Sequence, residues 1–125
     1  MAATAEEEIA GVDSLRGLLP ILPSIDLAIV GEPTLMDLAI AEKGLVVFDG
    51  KVSGTASHAA HPNDNQAIHK MIPVLQWFKE LRFEKVSKHL GEVKTTVSQL
   101  QEDTQHNVIP SEVKFVVDVR GNEGY

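Results

Sequence analysis

There is no cysteine in the 125 residues. This excludes a disulfide framework, a thiolate metal centre and a cysteine nucleophile, and it agrees with a cytoplasmic location. Base is scarce, with 11 basic against 18 acidic residues and a formal charge of −7. No basic cluster is available to displace counterions from phosphates, so nucleic acid is not an expected partner. Long apolar runs are lacking too. The richest, residues 18–30, is interrupted by Pro20, Pro23 and Asp26 and cannot span a bilayer. The first residues carry Glu6, Glu7 and Glu8, where a secretory leader would need base followed by an apolar stretch.

Apolar residues make up 43%, enough for the core of one ordinary domain. Thr4 and Glu7 have the spacing of a capping box. Adjacent carboxylates also allow a chemical use: leaving a strand end, two neighbours point different ways, so one can bind metal while the other works as a base. Residues 12–22 read as a short helix or loop closed by prolines. Residues 25–30 are a compact apolar run, expected to be a buried strand. It ends in Gly31-Glu32-Pro33-Thr34, and a carboxylate just past a buried strand is where open α/β sheets place ligand-binding groups. A further short strand is expected at residues 38–41.

Residues 45–54 read as a longer strand leading into Ser57-His58-Ala59-Ala60-His61-Pro62. Two histidines three apart, among small residues, could share a face and hold a metal with Asp64, or be solvated loop residues. Asn63 or Asp64 is a plausible cap for a helix running to about Phe83. Ala67, Ile68, Met71, Ile72, Leu75, Phe78 and Leu81 form its apolar stripe, with Met71 and Trp77 as packing residues. Pro73 predicts a kink or a late start. His89-Leu90-Gly91 is a turn, and residues 93–100 are a strand. In the last strand Val113, Phe115, Val117 and Val119 alternate with Lys114, Val116, Asp118 and Arg120, a half-buried pattern that predicts antiparallel pairing with its predecessor. The order is β-α-β-β, the first two-thirds of a split sandwich, and both ends look cut from something larger.

Five patches, in order, resemble one family: Ala5-Glu6-Glu7-Glu8, Gly31-Glu32-Pro33-Thr34, Gly54-Thr55-Ala56-Ser57-His58-Ala59-Ala60, Asn107-Val108-Ile109-Pro110 and Asp118-Val119-Arg120. The family is that of two-zinc peptidases and deacylases, which includes acetylornithine deacetylase, succinyl-diaminopimelate desuccinylase, aminoacylase and carboxypeptidase G. The resemblance implies an α/β (α+β) chain. Residues 1–43 would be part of a catalytic domain, and residues 44–125 part of a ferredoxin-like lid, or dimerisation, domain.

It further implies Glu7 as general base, Glu8 and Glu32 as ligands of the two zincs (cobalt being an alternative metal), and His58 as a lid histidine that reaches the partner subunit's active site. Asn107 and Arg120 would hold the substrate's carboxylate. The substrate would be an N-acyl amino acid, in the manner of acetylornithine deacetylase and arginine biosynthesis, and the protein a cytoplasmic homodimer. Gln66 departs from the family's usual asparagine. The family's His-x-Asp ligand pair and its late histidine ligand are not in the sequence, so the chain alone is expected to be inactive. A reading of another class is a homodimerisation module without catalysis, joined through an exposed edge strand and a helix stripe.

Overall fold

The computed structural model describes Thr4 and residues 11–125. The chain divides into two compact units, Met1–Leu38 and Ala39–Tyr125. The capping box expected at Thr4 and Glu7 lies, apart from Thr4 itself, outside the described residues.

In the first unit a short helix α1 (Leu15–Leu18) starts at Ser14, whose hydroxyl accepts the Arg16 N–H at 3.4 Å. Pro20 falls in the 3₁₀ turn that follows, Leu19–Ile21, as a residue without an N–H can at a helix end. The strand expected over residues 25–30 does not form. Leu27 and Ile29 are 79% and 91% exposed, and the run finds no partner strand among the described residues. An apolar run becomes a strand only where a neighbour takes its N–H and C=O groups. The short strand expected at residues 38–41 is absent for the same reason.

The second unit contains β1 (Gly44–Ser53), β2 (Ser57–His58), α2 (Ala67–Glu80), β3 (Lys94–Gln101), β4 (Val108–Ile109) and β5 (Glu112–Gly121). The long strands form an antiparallel sheet in the order β1-β5-β3. With α2 on one face this is the β-α-β-β portion of a ferredoxin-like fold, so the class is α+β. β2 and β4 add a separate two-stranded ladder.

Alternation in β5 sets the core. Val113 and Val117 are buried, Val117 completely. Their cross-strand partners Val52 and Phe48 share that face. Ala67, Met71, Val74 and Leu75 of α2 pack there against Val52, Val113 and Phe115, each fully buried large aliphatic contributing about 1.5–3 kcal/mol. An irregularity between Val97 and Gln99 brings Leu100 opposite Phe115. The extra residue flips the parity of β3 and so returns an apolar side chain to the helix face.

α2 is shorter than its sequence suggests. It begins at Ala67, with Gln66 at the cap position and no side-chain cap bond, because Asn63 is engaged in the preceding loop. Pro73 lies inside the helix, so the late start is not caused by it. Met71 is packed as expected, but Trp77 is 58% exposed and stands edge-on to Phe78 at 4.8 Å. Ile68 and Ile72, expected in the buried stripe, are about half exposed.

Both ends of the sheet are tied down. At the end where β1 leaves and β5 begins, Gly54 donates to the Ser111 carbonyl at 2.7 Å and Thr55 to the Asn65 carbonyl at 2.8 Å. A Cβ on Gly54 would lie 2.4 Å from the Asn65 oxygen and from the Ala67 nitrogen, so glycine is what lets β1 pass the helix start. At the other end the buried Asn122 donates to the carbonyls of Lys85 (3.0 Å) and Gly91 (2.8 Å) and accepts from the Gly124 N–H. Gly91, at φ +70°, closes the expected turn. Among the described residues no helix is long and apolar enough to cross a membrane.

Candidate functional site

His58 is presented by the small ladder. Ser57 stands opposite Ile109 and His58 opposite Val108. The loop is held by asparagines: Asn63 Nδ2 donates to Ser57 Oγ (2.9 Å) and to the Thr55 carbonyl (2.8 Å), and Asn65 Nδ2 donates to Thr55 Oγ1 (2.8 Å). The His61 N–H closes a turn onto the His58 carbonyl at 2.9 Å. The Ala60 N–H donates to His58 Nδ1 at 3.1 Å. A backbone N–H can only donate, so Nδ1 carries a lone pair and the neutral ring carries its proton on Nε2. His58 is exposed and therefore offers an oriented N–H donor to whatever approaches.

Asn107 adjoins this loop through its backbone, its carbonyl accepting the Ala59 N–H at 2.9 Å. Its side-chain oxygen Oδ1 is buried and has no hydrogen-bond partner. An unmet buried acceptor costs about 1–3 kcal/mol, so this oxygen is an acceptor still to be satisfied.

Arg120 is elsewhere. It lies on the sheet face opposite α2, where Asp118 holds it through Nε–Oδ1 (2.9 Å) and Nη2–Oδ2 (3.0 Å). Hydrogen bonding and then Coulomb attraction from Asp118 raise the guanidinium pKa above its ordinary value. The His58 and Asn107 loops adjoin the Glu112 end of β5, and Arg120 is eight residues along it. At roughly 3.3 Å per residue that is about 26 Å. One molecule thus brings His58 and Asn107 together and carries Arg120 to the far end of the sheet.

Glu32 belongs to the first unit. It is exposed, and its carbonyl accepts the Thr34 N–H at 2.8 Å. Glu7 and Glu8 lie outside the described residues. Among the described residues no three His, Cys, Asp or Glu side chains gather as ligands, so neither the expected zinc pair nor a private His58/His61/Asp64 site is assembled from them. A zinc centre takes three or four protein ligands, and the described residues do not by themselves fit one.

The β2–β4 ladder and the Asn63/Asn65 clamp were not legible as parts of the site. Their one signal is a pair of asparagines just after His61-Pro62, which reads equally well as a helix cap.

Residues 40–125 match the family model of a peptidase dimerisation domain. The chain is similar to a probable carboxypeptidase of Aspergillus flavus, 31% identical over 126 residues that cover 91% of this chain and 30% of that protein. A probable carboxypeptidase of Aspergillus oryzae matches to the same extent. Acetylornithine deacetylase of Myxococcus xanthus is 30% identical over 124 residues, covering 94% of this chain and 33% of that protein. The chain spans about a third of the length of these curated relatives.

Proposed function

The chain belongs to the M20 peptidase family, and from that membership we propose that it forms part of a metal-dependent amide hydrolase that deacylates N-acyl amino acids, as an acetylornithine deacetylase does. The observation that carries this reading is His58, an exposed imidazole whose Nδ1 is engaged by the Ala60 N–H and whose Nε2–H is free to donate. A preorganised donor of this kind can stabilise the oxyanion of a tetrahedral intermediate by roughly 3 kcal/mol. Asn107, whose backbone carbonyl holds Ala59 of the same loop, is proposed to bind substrate. Arg120 offers a planar fork for a carboxylate, with Asp118 orienting it.

The separation along β5 supports a composite site. Two copies related by a two-fold would let His58 and Asn107 of one serve the substrate whose carboxylate Arg120 of the other holds. Glu7 is proposed as the base that takes a proton from water and passes it to the leaving nitrogen. Glu8 and Glu32 are proposed as ligands of zinc, or cobalt, completed by ligands that this chain does not supply. The roles of Glu7, Glu8 and Glu32 rest on the sequence. A cytoplasmic place in arginine biosynthesis follows from the same reading.

The test has two parts. The isolated chain is expected to retain no stoichiometric zinc and to leave N-acetylornithine intact, so turnover by the zinc-loaded chain alone contradicts its incompleteness. In a zinc-loaded hydrolase containing the chain, His58→Ala is expected to lower kcat by about 10²–10³-fold with KM little changed. An unchanged kcat contradicts the role of His58.

A homodimerisation module without catalysis is the second reading. It is favoured by the edge of β3, unpaired among the described residues, and by the half-exposed Ile68, Ile72 and Leu100 beside it. A stable dimer in sedimentation, combined with no effect of His58→Ala on the hydrolase, would favour it over the first.

A further inference from the structure

We infer that Lys94 is a second substrate-positioning residue, which supplies the net positive charge of the carboxylate site that Arg120 begins. The inference rests on the reading of Arg120 above. In the ladder Lys94 stands directly opposite Arg120, and Leu45 stands opposite Arg120 on the other side. Direct partners project to the same face with Cβ atoms about 5 Å apart. The sheet face away from α2 therefore presents one row at this end: Lys94, Arg120, Leu45. The next row is Thr96, Asp118, Val47.

The charges at this end decide the ligand. Asp118 occupies two of the guanidinium donors and neutralises Arg120. Nη1 and the second hydrogen of Nη2 stay without a protein acceptor among the described residues, so Arg120 keeps direction but not net charge. Lys94 is exposed and makes no ion pair among the described residues. Like charges directly opposite in a sheet destabilise it, and Asp118 relieves one cation of the two.

Glu42 adds a weaker attraction on the Arg120 guanidinium, and its neighbour Lys43 bonds the Glu92 carbonyl. Within these two rows Lys94, Asp118 and Arg120 sum to one positive charge. That suits a monoanion, and the planar donors of Arg120 select a carboxylate. Leu45 and Val47, each 53% exposed, extend the row with an apolar strip for the aliphatic part of the ligand. An N-acyl amino acid has this combination of one carboxylate and a neutral amide and side chain.

The experiment titrates the chain with N-acetylglycine and, as the uncharged isostere, N-acetylglycinamide, following the Arg120 Nε–H and the backbone amides of residues 94–96 and 118–120 by NMR. The expected result is a saturable shift with the carboxylate only. Lys94→Met should weaken it about fivefold, the size of one exposed ion pair, and narrow the preference over the amide by the same factor, while Lys94→Arg restores both. If Lys94→Met leaves binding and preference unchanged while Arg120→Met abolishes them, Lys94 has no part in the site and the reading of Arg120 stands. If the wild-type chain shows no carboxylate-dependent shift at these residues, both readings are overturned.

Discussion

The Ala60 N–H reaches His58 Nδ1 at 3.1 Å, and this one contact fixes which nitrogen of an exposed imidazole can donate. Most surface histidines exchange between tautomers. Here the loop backbone, held by Asn63 and Asn65, selects one of them.

The first prediction is therefore spectroscopic. ¹⁵N shifts of the neutral His58 ring should report Nε2–H as the dominant tautomer, and Asn63→Ala should weaken that preference by loosening Ser57 and Thr55. A dominant Nδ1–H form in the wild-type chain would contradict the geometry.

Gly54→Ala should destabilise the second unit. The added methyl would meet the Asn65 oxygen and the Ala67 nitrogen at 2.4 Å, and both are backbone atoms that cannot rotate away. A cost of about 1–3 kcal/mol is expected from such overpacking, read as a lower urea midpoint. The His58 resonances should also move, because the same contact anchors the loop. An unchanged midpoint would show that the strand and helix start have room to part.

Glu112 gives a pH dependence of defined sign. Burial pushes its carboxyl up, but hydrogen bonding and Coulomb attraction from Lys114 and Lys51, each with its ammonium 3.4 Å away, outweigh this and hold it below its ordinary value. A carboxyl depressed in the folded state contributes stability that is present above the unfolded pKa and is lost as pH falls through the folded one. The urea midpoint should accordingly fall as pH drops below the ordinary carboxylate range, about pH 4, and Glu112→Gln should flatten that fall at low salt. Parallel curves for the two proteins would contradict the assignment.

How much of this was legible in the sequence depends on the range of the interaction. The alternation of Val113, Phe115, Val117 and Val119 is local, and it identified β5 and its buried face. That β5 lies between β1 and β3 is a long-range fact, carried by pairs such as Phe48 with Val117 and Val97 with Val117. The run at residues 25–30 shows the opposite failure: its apolarity suits a strand, but apolarity does not supply a partner. Asn63 reads as a cap in the sequence because a side chain able to bond a helix N–H can equally bond Thr55 and Ser57. The motifs named His58, Asn107 and Arg120, and no motif states direction. Only an extended β5 reveals that thirteen residues of sequence carry Arg120 away from Asn107 to the other end of the sheet.

Whether His58 of one molecule and Arg120 of another serve one site, as proposed, is directly measurable because the sequence has no native cysteine. Single variants His58→Cys and Arg120→Cys are mixed and treated with a bifunctional maleimide whose reach is well short of β5. An efficient cross-linked heterodimer is expected from the mixture, together with no intramolecular link in the double variant. A double variant that closes on itself within one molecule, or a mixture that yields no heterodimer, would contradict it.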